Sequence, residues 1–191
     1  MVSAGLDAPS VLGRALEAHD AQTHQHSREV VDLSLAVADA LNLDANERRV
    51  VELSALLHDV GKVAVPREVL DKPGPLDGRE WALMHHHTID GQRMVAGSDT
   101  SMATIGDTVR SSHERWDGGG YPDGLAGEQI PLAARIVAVA DAYSAMTTNR
   151  PYRRALVEGR ARRELRANAG TQFDPAVVDA ALAALAAVAR G

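Results

Sequence analysis

One residue narrows the folds open to this chain more than any other. The segment Ile136–Met146, IVAVADAYSAM, is apolar on nearly every side, so as a helix it belongs in a core. Asp141 sits in its middle. A buried carboxylate is costly unless it is paired, hydrogen-bonded or bound to a metal. The fold must therefore bring a cation to Asp141, either an arginine such as Arg135 or a metal ion. This helix alone leaves the two open.

The rest of the chain supplies the body around that helix. Val11, Leu12, Leu16 and His19 mark a short helix over 11–20. Val30, Leu33, Val37, Ala40 and Leu41 form the stripe of a second over 26–42. Asn46 is placed to cap a third that runs through Leu53 and Leu57 to His58. Asp77 and Glu80 make a capping-box pattern opening a fourth helix towards Val95. A fifth is expected over about 101–114, and a Gly/Pro-rich connection over 115–131. Pro131 suits the first position of a sixth, a seventh spans about 155–168, and Asp174-Pro175 starts the last. No segment alternates as a strand would. The expectation is an all-α bundle: an N-terminal helix or extension over 1–16 and one domain over 17–191.

Composition excludes several functions. The 191 residues contain no cysteine, so disulfides, thiolate zinc sites and cysteine nucleophiles are out. Aromatics are 3% and net charge is −6, which argues against stacking platforms for single strands and against a DNA-binding face. The N-terminus has no basic-then-apolar signal pattern. The most apolar stretch, AALAALAAVA, is too short to span a bilayer. A cytoplasmic protein without membrane attachment is expected.

Chemistry concentrates in a few histidines and carboxylates. His58 and Asp59 close the apolar run LSALL, and Lys62 follows four residues after His58. Of His85, His86 and His87, only His87 falls on the face outlined by Trp81, Met84, Gly91 and Val95. His85 and His86 are expected in solvent. His26 opens the second helix and His113 closes the fifth. Together, His26, His58, Asp59, His87, His113 and Asp141 form an imidazole–carboxylate set suited to Mn, Fe, Ni or Zn in hydrolysis. Arg150, Arg153 and Arg154 flank Pro151-Tyr152 and can grip phosphate, or can simply be a solvated basic helix start.

Read in order, these segments resemble the HD-GYP family, a branch of the HD metal-dependent phosphohydrolases. The resemblance covers about residues 17–182. It is carried by Asp20 to Ser27, LLHDVGKVAVP at 56–66, KPGPL at 72–76, and His87 with Gly91. It continues through HERWDGGGYPDGLAGEQIP at 113–131, ARIVAVADAY at 134–143, RPYR at 150–153 and GTQFDP at 170–175. It implies an HD-domain helical bundle and hydrolysis of cyclic di-GMP, to linear pGpG or GMP, in bacterial second-messenger signalling. His26, His58, Asp59, His87, His113 and Asp141 fall on its metal-ligand positions, with Asp59 as the bridge. Lys62 falls on a lysine that contacts phosphate or assists the leaving oxygen. Arg150 and Arg153 fall where the family holds substrate phosphates, and Gly120, Tyr121 and Pro122 are its signature. The implied cofactor is one or two divalent transition-metal ions, Fe or Mn first, with Ni, Zn or Mg as alternatives. The implied partners are a cyclic dinucleotide, diguanylate cyclases or other signalling proteins, and a second copy of the chain.

Three positions depart from the family pattern. Ser112 stands where the first of two histidines is expected, which removes a ligand of the second metal. Gln22 replaces a glutamate found in three-metal members. Ser144 replaces a second aspartate after Asp141. The alternatives are therefore a catalytically weak relative acting as a nucleotide receptor or docking module, or a phosphohydrolase acting on another nucleotide.

Overall fold

In the computed structural model, residues 21–97, 102–149 and 154–188 are described, as are their side chains except those of 21–25 and 188. The expected helix over 11–20 and the extension over 1–16 lie outside the described residues. In chain order the α-helices are α1 (Ala21–Ala40), α2 (Ala45–Leu57), α3 (Arg67–Leu70), α4 (Gly78–Ala96), α5 (Ala103–Arg110), α6 (Leu132–Thr147), α7 (Glu158–Ala167) and α8 (Pro175–Val188). Short 3-10 turns occupy Val60–Ala64 and Gly127–Gln129. Among the described residues there is no strand, only isolated bridges between Asp117 and Ala126 and between Ala169 and Phe173. No described helix is long and apolar enough to cross a membrane.

The helix starts follow from local chemistry. α4 opens on the expected capping box, with Asp77 accepting from the Arg79 and Glu80 amides and Glu80 accepting from the Asp77 amide. α2 is capped by Asp44, not Asn46. The Asp44 carboxylate accepts from the Asn46 and Glu47 amides and Glu47 reaches back to the Asp44 amide, which leaves Asn46 inside the first turn. α5 stops at Arg110, short of the expected 114. Ser112 turns its hydroxyl back onto the Val109 carbonyl (2.8 Å), and the Ser112 and Glu114 amides close tight turns. His113 thus leaves the helix axis.

Three apolar clusters hold the bundle. α1, α2, α6, α7 and α8 share the largest, around Val37, Ile136, Leu165 and Val178. α2, the first 3-10 turn, α4 and α5 share another, around Leu57, Val60, Val95 and Val109. The smallest, Val30, Ala55, Val137 and Ala140, lies between α1, α2 and α6. Those helices carry His26 and Asp141 and, at the C-terminal end of α2, lead into His58, so this packing sets the site.

Arg135 is not the partner of Asp141. Its guanidinium donates to the Ile130 carbonyl (2.9 Å) and to Asp174 (2.6 Å), tying the end of the glycine-rich connection to the start of α8.

Candidate metal centre

All six imidazole and carboxylate residues singled out in the sequence converge. They form two groups, His26–His58–Asp141 and Asp59–His87–His113; within each, one potential ligand atom per residue lies within 4.8 Å of the others. Asp59 joins the groups. Its Oδ2 is 3.4 Å from His58 Nε2, while its Oδ1 is 3.6 Å from His87 Nε2 and 4.0 Å from His113 Nε2. The Asp141 partner is His26, at 3.0 Å from Nε2 to Oδ1.

The hydrogen bonds behind the rings decide what they offer. His58 Nδ1 donates to the Ala55 carbonyl (2.8 Å) and His87 Nδ1 to the Met84 carbonyl (2.6 Å). A neutral imidazole carries one proton, so both Nε2 atoms face inward as bare lone pairs. The Nε2 atoms of His58, His87 and His113, with Asp59 Oδ1, are buried without a hydrogen-bond partner among the described residues. Orphaned buried acceptors are expensive, and several at one point are explained by a shared cation. Ligand atoms about 2.1 Å from one ion lie roughly 3 Å apart when at right angles and about 4 Å apart when opposite, matching the separations here. The donor set is four imidazoles and two carboxylates without sulfur, so the residues present fit a divalent transition metal.

Electrostatics agree. Burial alone pushes the Asp59 carboxyl up, but Lys62, then His58, His87 and His113, hold it well below the usual carboxylate range. Burial likewise pushes Asp141 up, and the adjoining His26 ring, then His58 and His113, bring it below that range. Burial lowers His87 and pushes His113 down to about 4. The His87 and His113 rings are thus neutral and the Asp59 and Asp141 carboxylates ionised near neutral pH, as ligation requires. Lys62 reaches Asp59 Oδ2 at 2.5 Å, and its side chain is one-third exposed, so the ammonium lies between the carboxylate and solvent.

Two glycines press the elements together. A Cβ on Gly61 would run into the His87 carbonyl and the Gly91 amide, and one on Gly91 would meet Val109 Cγ1 at 2.9 Å. Backbone therefore crosses backbone between the Asp59 turn and the His87 helix.

A cavity of about 350 Å³ opens beside the cluster, lined by residues that include His85, Ser112, His113, Arg115, Tyr121 and Asp141. Tyr121 stacks between His85 (3.8 Å between ring centroids) and His113 (5.2 Å). His85 is thus half-buried and not in solvent as expected, whereas His86 is exposed and pairs with Asp90. Trp81 is 48% exposed and leaves the buried face assigned to it, because the first turns of α4 project beyond the body. Gly120 lines the same cavity, and a Cβ there would collide with the backbone of Glu114 and Arg115.

Glu114 carries a role that sequence reasoning missed. It is buried and accepts from the backbone amides of Asp123 (2.7 Å), Gly124 (3.1 Å) and Leu125 (3.1 Å), latching the loop that presents Tyr121. The signal was an acidic residue directly ahead of a glycine-rich run. Pro122 follows Tyr121 through a cis peptide bond and does not line the cavity. Arg150 and Arg153 lie outside the described residues, as does the side chain of Gln22. Ser112 is buried against Val109 at the cavity wall, and Ser144 points to His26.

The HD domain family model matches residues 10–177. RpfG, a cyclic di-GMP phosphodiesterase response regulator of Xanthomonas campestris pv. campestris, is 43% identical over 174 residues, covering 91% of this chain and 46% of that protein. A cyclic di-GMP phosphodiesterase of Thermotoga maritima is 36% identical over 173 residues, covering 90% and 47%. The chain thus spans about half the length of these curated relatives. The crystal structure of a cyclic GMP-AMP specific phosphodiesterase of Vibrio cholerae shares the fold, with a TM-score of 0.67 at 20% identity over 84% of this chain and 43% of that one.

Proposed function

Because the chain belongs to the HD domain family, we propose that it is a metal-dependent phosphodiesterase that opens a cyclic dinucleotide, with cyclic di-GMP as its substrate. The observation that carries this reading is the set of bare, buried Nε2 atoms gathered around Asp59 beside an open cavity. His26, His58 and Asp141 with Asp59 would hold one divalent ion, Fe or Mn, and Asp59, His87 and His113 a second, weaker one. Such ions supply Lewis-acid polarisation of a phosphate and activation of water at neutral pH.

The protein's own groups do the rest. Lys62 brings an ammonium to the carboxylate that joins the two groups, placed to meet a phosphate oxygen or the leaving oxygen. The His85–Tyr121–His113 stack forms an aromatic wall on one side of the cavity. Gly120 and Tyr121 shape the substrate side, with Arg150 and Arg153 as candidate phosphate grips. With a net charge of −6 the protein has no global field to draw an anion, so capture falls to the cluster and to local cations.

The test is incubation with Mn2+ or Fe2+ and cyclic di-GMP, with chromatographic separation of products. Linear pGpG or GMP is expected, and Asp59→Ala removes both bound metal and product. Ser112, with its hydroxyl spent on Val109, favours a second reading as a nucleotide receptor. Tight dinucleotide binding without cleavage selects that reading. Cleavage of 3′3′-cGAMP alone reassigns the substrate.

A further inference from the structure

His58 and His87 each spend Nδ1 on a carbonyl in their own helix. His26 does not. Its Nδ1 lies 2.9 Å from Ser144 Oγ, across the interface from α1 to α6. The Ser144 hydroxyl in turn donates to Glu29 Oε2 at 2.7 Å, and Thr148 Oγ1 donates to the same oxygen at 3.0 Å. Ser144 is 2% exposed. A serine hydroxyl has one hydrogen. With that hydrogen on the carboxylate, its oxygen can only accept from His26, so the His26 proton is held on Nδ1. Nε2 then faces Asp141 Oδ1 at 3.0 Å as one acceptor against another, an arrangement that needs a positive charge on or between them.

We propose that Ser144 and Glu29 are positioning residues for His26: a hydroxyl-to-carboxylate relay that fixes the ring's orientation and tautomer for metal ligation. The inference rests on the reading of His26 as a ligand. It also gives Ser144 a part in the site although it replaces an aspartate of the family pattern. The charge is kept one bond further out, on Glu29 of α1, four side-chain atoms joined by hydrogen bonds rather than one carboxylate touching the ring. Groups that hold the far nitrogen of a ligating histidine raise its basicity and lock its rotation, and their loss weakens metal binding about 10–100-fold. Without Ser144, the Nδ1 proton of His26 has no acceptor on α6, and the tautomer with a proton on Nε2 blocks coordination.

The test is Mn2+ binding to the full chain by calorimetry and by loss of the free-ion EPR signal. Ser144→Ala is expected to weaken the tighter Mn2+ site about 10–100-fold. Glu29→Gln, which keeps an acceptor but loses the charge, weakens it several-fold. Ser144→Asp places a carboxylate directly on Nδ1 and returns affinity to within a few-fold of wild type, a rescue that a mere packing role does not produce. In a His26→Ala background, Ser144→Ala has no further effect on the ion left at Asp59, His87 and His113. Wild-type affinity in Ser144→Ala, or an equal loss in Ser144→Asp, overturns the relay. If Ser144→Ala does not fold, as judged by circular dichroism, Glu29→Gln and Ser144→Asp decide on the same criteria. A wild-type chain that takes up no Mn2+ overturns the ligand reading itself, and the relay with it.

Discussion

Ser112 faces a cavity that an imidazole can enter, next to His113 and within the same lining as Asp141. Its hydroxyl bonds only to the turn beneath it. Ser112→His should therefore raise occupancy of the second Mn2+ site on the order of 10-fold or more, and raise turnover of cyclic di-GMP with it. Titration of metal per chain, with thermal unfolding to check the fold, measures both; two ions bound without cleavage would leave the receptor reading ahead. At this scale the sequence was legible where a residue broke its surroundings. Asp141 in an apolar helix, and His87 four residues before a glycine, announced themselves. His85 did not, because stacking on Tyr121 depends on a loop 36 residues further on. Nor did the link from Ser144 to Glu29, since no local pattern pairs side chains 115 positions apart.

The contact between the first 3-10 turn and α4 is where an element-level change is felt most. At Gly61 a methyl group has backbone on its far side, which cannot rotate away as a side chain can. Gly61→Ala should cost about 2–4 kcal/mol in urea unfolding and abolish metal uptake, because Asp59 and His87 are pushed apart together. Gly74, with nothing within 4 Å of an added Cβ, is the control: Gly74→Ala stays within about 0.5 kcal/mol. Helix periodicity showed α4 and its cap, yet gave no sign that residues 61 and 91 meet. It also misplaced Trp81, because a helical stripe gives an angle around the axis but not how far along it the neighbouring body extends. The Asp44–Glu47 spacing carries the same capping signal as Asp77–Glu80, and Asn46 satisfies only the composition half of that rule.

For the whole molecule, the buried imidazoles predict a fold that weakens in mild acid once metal is removed. His113 titrates at about 4 in the folded state because of burial, against about 6.5 in an unfolded chain. As pH falls through that interval the unfolded chain takes up a proton that the folded chain refuses, so stability is full above about 6.5 and declines towards 4. His87 acts in the same direction. Asp59 and Asp141, both lowered, contribute stability that is lost only at still lower pH. For the chelator-treated protein, thermal unfolding at pH 7.5 and 4.5 should differ by up to about 3 kcal/mol from His113, with a smaller difference in His113→Asn. The two ligand groups also differ in when they can exist. Asp59, His87 and His113 are all present once the chain is made as far as the turn after α5, whereas the pairing of His26 with Asp141 waits for α6. On a ribosome, the half-site of Asp59 is complete while the helix that finishes the other is still being synthesised.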